Sequence, residues 1–224
     1  MSRVLRFGRK AALNGQAKSL VVFLHGYGAD GADLLGLADA LAPQLPDTAF
    51  VAPDAAECIP GAPFGQQWFA IPRFDGSSPA EAEAGLTRST DDLNAFLDQR
   101  LAYERIGPQA IALIGFSQGA MMALHLAPRR AEAMAAVVAI SGQLLHPERL
   151  AAEALVKPPV LVMHGDEDAV VPFPEMTAAC NALVGAGFET YGHVMEGSGH
   201  GIAQDGLVNA LAFLKKTLAR SCAA

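Results

Sequence analysis

Gly115-Phe116-Ser117-Gln118-Gly119 is the stretch on which the reading of this chain turns. The apolar run Ala110-Ile111-Ala112-Leu113-Ile114 leads into it, and a helical segment, Ala120 to Ala127, leads out and stops at Pro128. A sharp turn from strand to helix strains the backbone of the central residue. Glycines two before and two after it let the chain segments pass closely. The Ser117 hydroxyl then stands exposed, and the backbone N–H of Gln118 points to where negative charge on a bound oxygen would form. Three fixed positions in five are weak evidence alone, because Gly and Ser are common residues. The flanking strand and helix, and the residues downstream, give the motif its weight.

The rest of the chain alternates strand and helix around this point. Val4-Leu5-Arg6-Phe7 reads as a weak edge strand, and Ser19-Leu20-Val21-Val22-Phe23-Leu24 as a fully apolar strand of the buried parallel kind. The second ends in His25-Gly26-Tyr27-Gly28. A helix follows, with Asp30 or Asp33 near its start and Leu34, Leu37, Ala38 and Leu41 on one face. Ala49-Phe50-Val51-Ala52 is the next strand. Ala55 to Ala80 is irregular, rich in Gly and Pro, and holds the one tryptophan in Gln67-Trp68-Phe69; a loop of this length is functional or disordered, and its aromatics argue against disorder. Glu81 to Ile106 reads as a helix. Strands are expected at 135–140, 159–163 and 189–196, a helix at 174–184, and a closing helix with Leu207, Leu211, Leu214 and Leu218 on one stripe. This alternation predicts an α/β fold, one mostly parallel central sheet covered by helices on both faces, in a single domain over residues 1–224.

Composition excludes several classes. The chain has 224 residues, 51% hydrophobic and 17% charged, which fits a packed globular domain. A formal net charge of -7 argues against nucleic acid and anionic membrane surfaces as partners. Cys58, Cys180 and Cys222 are far apart, with neither a metal spacing nor a disulfide framework, so a cytoplasmic setting is expected. Met1 to Gln16 is basic but lacks the apolar core of a secretory signal, and no apolar stretch approaches the ~20 residues of a spanning helix. The sequence leaves the oligomeric state open, a homodimer included.

A serine hydroxyl is a poor nucleophile unless a base lies within hydrogen-bond reach and a third group holds that base in the correct tautomer. Ser117, Asp168 and His200 each fall just past an expected strand. Their order along the chain, nucleophile, acid, histidine, is that of α/β-hydrolases. Together with Phe23-Leu24-His25-Gly26-Tyr27-Gly28, Gln67-Trp68-Phe69, His164-Gly165-Asp166-Glu167-Asp168-Ala169-Val170-Val171-Pro172 and Gly199-His200, the chain resembles the phospholipase/carboxylesterase family that includes acyl-protein thioesterases. The resemblance implies a Ser117–His200–Asp168 triad, oxyanion-hole amides from Tyr27 and Gln118, and hydrolysis of carboxylic esters or acyl thioesters without a cofactor. Ala120 stands where the family more often has a second glycine. Tyr27 stands where it often has leucine, which would narrow an acyl pocket.

Other residues have plainer readings. His25 and His164 read as packed, hydrogen-bonded residues at strand ends, and His125 and His146 as surface or helix residues. His193 lies within a strand, and Ser198 lacks an elbow. Asp166 competes with Asp168 for the acid's role but reads as shaping its own turn. Trp68 and Phe69 are candidates for a substrate wall, with core as the alternative, and Met121 and Met122 read as core or pocket floor. The leading expectation is a serine esterase of small to medium acyl groups. The alternatives are an acyl-protein or other acyl thioesterase or lysophospholipase, and a catalytically silent binding protein on the same fold.

Overall fold

The computed structural model describes residues 2–62 and 64–221; Cys222 lies outside them. Strands β1 (Phe7–Lys10), β2 (Ser19–Leu24) and β3 (Thr48–Pro53) come first, with the short helices α1 (Gly31–Leu35) and α2 (Ala38–Leu41) between the last two. A two-strand ladder, β4 (Glu57–Cys58) with β5 (Gln66–Gln67), and one helical turn, α3 (Pro72–Asp75), follow. Then come α4 (Pro79–Glu104), β6 (Ile111–Phe116), α5 (Gln118–Leu126), β7 (Ala136–Ile140), α6 (Pro147–Glu153), β8 (Val160–Gly165), α7 (Pro174–Gly185), β9 (Thr190–Met195) and α8 (Gln204–Ser221).

Seven strands form one sheet in the order β1-β3-β2-β6-β7-β8-β9. Only β1 is antiparallel to its neighbour. Strands β2, β3, β7 and β8 are buried at every residue, which is why they read as unbroken apolar runs rather than alternating ones. One face carries α4 to α7, with Leu93, Leu97, Met122 and Leu183 in its core. The other carries α1, α2 and α8, with Leu34, Leu41, Phe213 and Leu214. The strand order reverses between β2 and β6, and ligands of such sheets bind beyond the carboxyl ends at that crevice.

Several boundaries differ from the sequence reading. The edge strand is Phe7–Lys10, three residues later than expected. Its pairing runs Phe7 to Pro53 through Lys10 to Phe50, and Val4 is 88% exposed. Charged Arg9 and Lys10 suit an edge, where one side of the ladder is open. The helix expected around 30–41 is two short pieces; Asp30 and Asp33 form a reciprocal capping box at the first. Helix α4 starts at Pro79, because Ser78 caps it and Glu81 closes a second capping box. Helix α6, absent from the sequence reading, is seven residues long with Pro147 at its start.

His125 sits on the last turn of α5. Its Nδ1 is buried without a hydrogen-bond partner among the described residues, and its ring lies 6.4 Å from that of His146. Burial, then the charges of Arg129 and His146, lower its pKa to about 4. The native state therefore refuses a proton that the unfolded chain accepts below about pH 6.5, so this stability is present above that pH and lost as pH falls toward 4. Urea midpoints at pH 7 and 4.5 should show the wild type losing about 1–2 kcal/mol more than His125→Gln, with solvent screening keeping the figure below the full linkage value. Equal losses would show that His125 is not the sensitive group.

Candidate active site

The elbow at the end of β6 has the strain its sequence implies. Ser117 sits at φ 53°, ψ −117°, off the allowed regions for an L-residue, which costs of order 1–3 kcal/mol. Its N–H donates to Ile140 O at 2.8 Å, and its carbonyl accepts from Ala120 N at 3.0 Å and Met121 N at 3.1 Å. A Cβ on Gly119 would collide with Leu24 O, and one on Gly115 with Gly119 O, so both glycines are required by close backbone approach. Ala120 in the position of a second glycine is accommodated by Gly142, where a Cβ would meet the Ala120 methyl and lie 2.9 Å from Ser117 O.

Three distant loops converge on the hydroxyl. His200 Nε2 is 3.0 Å from Ser117 Oγ, and His200 Nδ1 is 2.7 Å from Asp168 Oδ2. The Asp168 side chain is 0% exposed. Its Oδ1 accepts from Val170 N at 2.8 Å and Val171 N at 2.9 Å. Burial pushes the carboxyl pKa up, but the bond from His200, the two backbone bonds and the attraction to His200 outweigh it and leave the group below its ordinary value. Asp168 therefore holds a negative charge facing Nδ1. The Phe116 ring, 4.9 Å from the His200 ring, covers the imidazole.

Asp166 does not shape its own turn. Its Oδ1 accepts from Gly197 N at 2.7 Å, across in the loop that carries His200. The local turn is made by Asp168 through Oδ1, while its other oxygen reaches His200. Glu167 N also donates to Ser198 O at 3.0 Å, and Gly165 passes so close to Ser198 that a side chain there would clash. The two loops thus form one hydrogen-bonded unit.

On the other side of Ser117, Gly26 lies against the serine Cβ and Gly28, at φ 84°, turns the chain after Tyr27. The Gln118 N–H, at the first position of α5, has no acceptor within the helix. The Tyr27 ring packs against Phe74 at 5.8 Å. Beneath this loop His25 is fully buried; its Nδ1 meets Gly26 O at 2.8 Å and its Nε2 accepts from Ala55 N at 3.0 Å. Burial keeps its pKa below the ordinary value, so it is a neutral bridge rather than a second base.

Trp68 is placed differently from a substrate wall. It is 0% exposed, and its Nε1–H donates to His25 O at 2.9 Å. Gln118 binds this segment from both ends: Oε1 accepts from Trp68 N at 2.8 Å, and Nε2 donates to Phe69 O at 2.7 Å. Ser89 Oγ donates to Trp68 O. Phe69 does line a cavity of about 380 Å³, with Ile71, Arg73, Met121, Gln143 and Leu145 among its other walls. Met121, one turn along α5 from Ser117, lines the cavity, whereas Met122 is core; Ser117 and His200 are not among the cavity's lining residues. Tyr27 is not among the cavity's lining residues.

Gln118's side chain, Arg73 and Gln143 escaped the sequence reading. Arg73 shares the aromatic loop with Trp68, and its Nη2 donates to Val170 O at 3.0 Å, tying that loop to the one that carries Asp168. His193 pairs with Asp205 at 2.7 Å, away from the hydroxyl. Among the described residues, no group of three His, Cys, Asp or Glu could hold a metal ion. No helix there is long and apolar enough to cross a membrane.

These placements separate the two aromatics. Trp68→Ala should lower unfolding free energy by about 3–5 kcal/mol and reduce turnover by one common factor on short and long acyl esters. Phe69→Ala should instead change the short-to-long ratio. Denaturant titration with an acyl-chain series checks both, and an altered ratio for Trp68→Ala would return it to the pocket wall.

The family model for phospholipase/carboxylesterase matches residues 11–218. The chain is 44% identical to the solved esterase PE8, covering 96% of this chain and 100% of that one at a TM-score of 0.91. It is 29% identical to esterase YpfH of Escherichia coli, covering 90% of this chain and 84% of that protein. It is also 30% identical to acyl-protein thioesterase 1 of Saccharomyces cerevisiae, covering 94% of this chain and 97% of that protein. With the α/β architecture and a match over nearly its whole length, the chain belongs to the phospholipase/carboxylesterase family of hydrolases.

Proposed function

We propose that this chain is a serine esterase that cleaves carboxylic esters of small to medium acyl groups through an acyl-enzyme on Ser117, within a single domain. The observation that carries the reading is the continuous path from Ser117 Oγ to His200 Nε2 at 3.0 Å and from His200 Nδ1 to the buried Asp168 carboxylate at 2.7 Å. Ser117 Oγ attacks the ester carbon while His200 Nε2 takes its proton. Asp168 stabilises the imidazolium and holds its tautomer. The oxyanion accepts from the N–H groups of Tyr27 and Gln118. Collapse returns the proton to the leaving alkoxide and leaves an acyl-serine. Water, deprotonated by His200, then attacks that ester, and the acid departs as Ser117 regains its proton.

The cavity lined by Phe69 and Met121 supports the reading of acyl size. About 380 Å³ is near the lower end of ligand pockets, and Phe69, Ile71, Met121 and Leu145 make its walls apolar. Acyl thioesters are a second reading, favoured by the likeness to the yeast acyl-protein thioesterase. The same attack applies, with a thiolate leaving. Relative kcat/KM on matched oxygen esters and thioesters separates the two. Free Cys58 and Cys180, the first of them exposed, support a reducing cytoplasmic setting.

The two aspartates supply the sharpest test. Asp168→Asn keeps the shape but offers the wrong partner to Nδ1, and should lower turnover by about 10⁴, the loss known for this change in a serine protease. Asp166→Asn should cost only about 1 kcal/mol of stability through its bond to Gly197. Ser117→Ala should remove turnover while leaving the melting temperature near that of the wild type. Turnover and melting temperature of all three variants check this, and the reverse pattern for the aspartates would move the acid to position 166.

A further inference from the structure

We propose that His164 is a positioning residue for the reaction, holding the Asp168 carboxylate in the orientation that faces His200. The proposal rests on the reading of Ser117, His200 and Asp168 as the triad. His164 is on β8, just ahead of the turn that carries Asp168, and both side chains are 0% exposed. His164 Nε2 lies 2.9 Å from Val171 O and 3.3 Å from Asp168 Oδ2, the same oxygen that takes the bond from His200 Nδ1 at 2.7 Å. His164 Nδ1 is buried and has no hydrogen-bond partner among the described residues.

That orphan nitrogen decides the tautomer. A buried N–H without an acceptor is rarer and costlier than a buried lone pair without a donor. The proton therefore sits on Nε2 and is donated to Val171 O, the carbonyl of the residue whose N–H holds Asp168 Oδ1. The Phe173 ring, edge-on at 6.2 Å, lies against the imidazole. Asp168 thus has its Oδ1 fixed by Val170 and Val171 N–H and its Oδ2 bonded to His200, with His164 Nε2 packed 3.3 Å from that oxygen. By bonding Val171, whose own N–H binds Oδ1, His164 fixes the turn that aims Oδ2 at His200. The other charged groups nearby are Asp166 and Glu167 on the same turn, bonded to the Gly197-Ser198 loop, and Arg73, which reaches Val170 O.

His164→Leu keeps comparable bulk and removes the donor; His164→Gln can restore an amide N–H near the Nε2 position. With Leu, kcat should fall about 2- to 10-fold, the range for one hydrogen bond between neutral groups. KM should be unchanged, because His164 touches no substrate. The midpoint of the pH–kcat/KM profile should move down, because a carboxylate no longer held toward His200 stabilises the imidazolium less. Gln should restore both. Losses in Leu and Gln that only track the fraction of active enzyme, with the midpoint unmoved, would overturn the proposal. Nitrogen NMR of the wild type with labelled histidine provides a readout that needs no variant: Nε2 of His164 should be protonated and Nδ1 bare, and the opposite tautomer would equally overturn it. Full turnover in Asp168→Asn would instead defeat the triad reading, so the two failures are distinguishable.

Discussion

The backbone crossing at Ser117 is the constraint on which the rest of the site depends. Gly119 packs onto the carbonyl oxygens of Leu24 and His25 so tightly that no side chain fits there. This places the end of β2, and with it the Tyr27 loop, beside the serine. The same turn starts α5, whose first side chain, Gln118, binds Trp68 and Phe69. One contact therefore aligns the hydroxyl, the amides of the adjacent loop and a wall of the cavity. The strain at Ser117 is offset by the bond to Ile140 and by the start of the helix.

A second contact sets the other half. The end of β8 presses on the loop after β9 at Gly165, and Asp166 and Glu167 hydrogen-bond across to it. The two aspartates divide the work: Asp166 fastens the loops, and Asp168 receives the histidine. Burial of Asp168 raises the cost of its charge, yet three hydrogen-bond donors keep it ionised. A fixed dipole arrangement of this kind needs little reorganisation as charge develops, which is where enzymes obtain most of their rate.

Much of this is legible in the residues alone. Strands β2, β3, β7 and β8 announce themselves because burial on both faces removes polar alternation. The Gly-x-Ser-x-Gly spacing announces the elbow because only glycine tolerates those approaches. What local patterns miss is non-local. Trp68, in a loop rich in Gly and Pro, reads as a substrate wall with core as the alternative, because the partners that bury it, His25, Gln118 and Ser89, lie 43, 50 and 21 residues away. Asp166 reads as a turn residue because its acceptor role is met 31 residues on. The edge strand is displaced because pairing with β3, rather than the apolar Val4-Leu5, sets its register. The box Ser78 to Glu81 was open to a sequence reading, since its spacing is local.

The central claim is that Ser117 carries the acyl group between the two halves of the reaction. Acid quenching within the first turnovers on p-nitrophenyl butyrate, followed by peptide mass mapping, tests it directly. The account predicts one butyryl group per chain on the peptide holding Ser117, appearing with a matching burst of p-nitrophenol. Hydrolysis with no burst and no adduct, or an adduct on another residue such as Ser198 or Cys58, would contradict it.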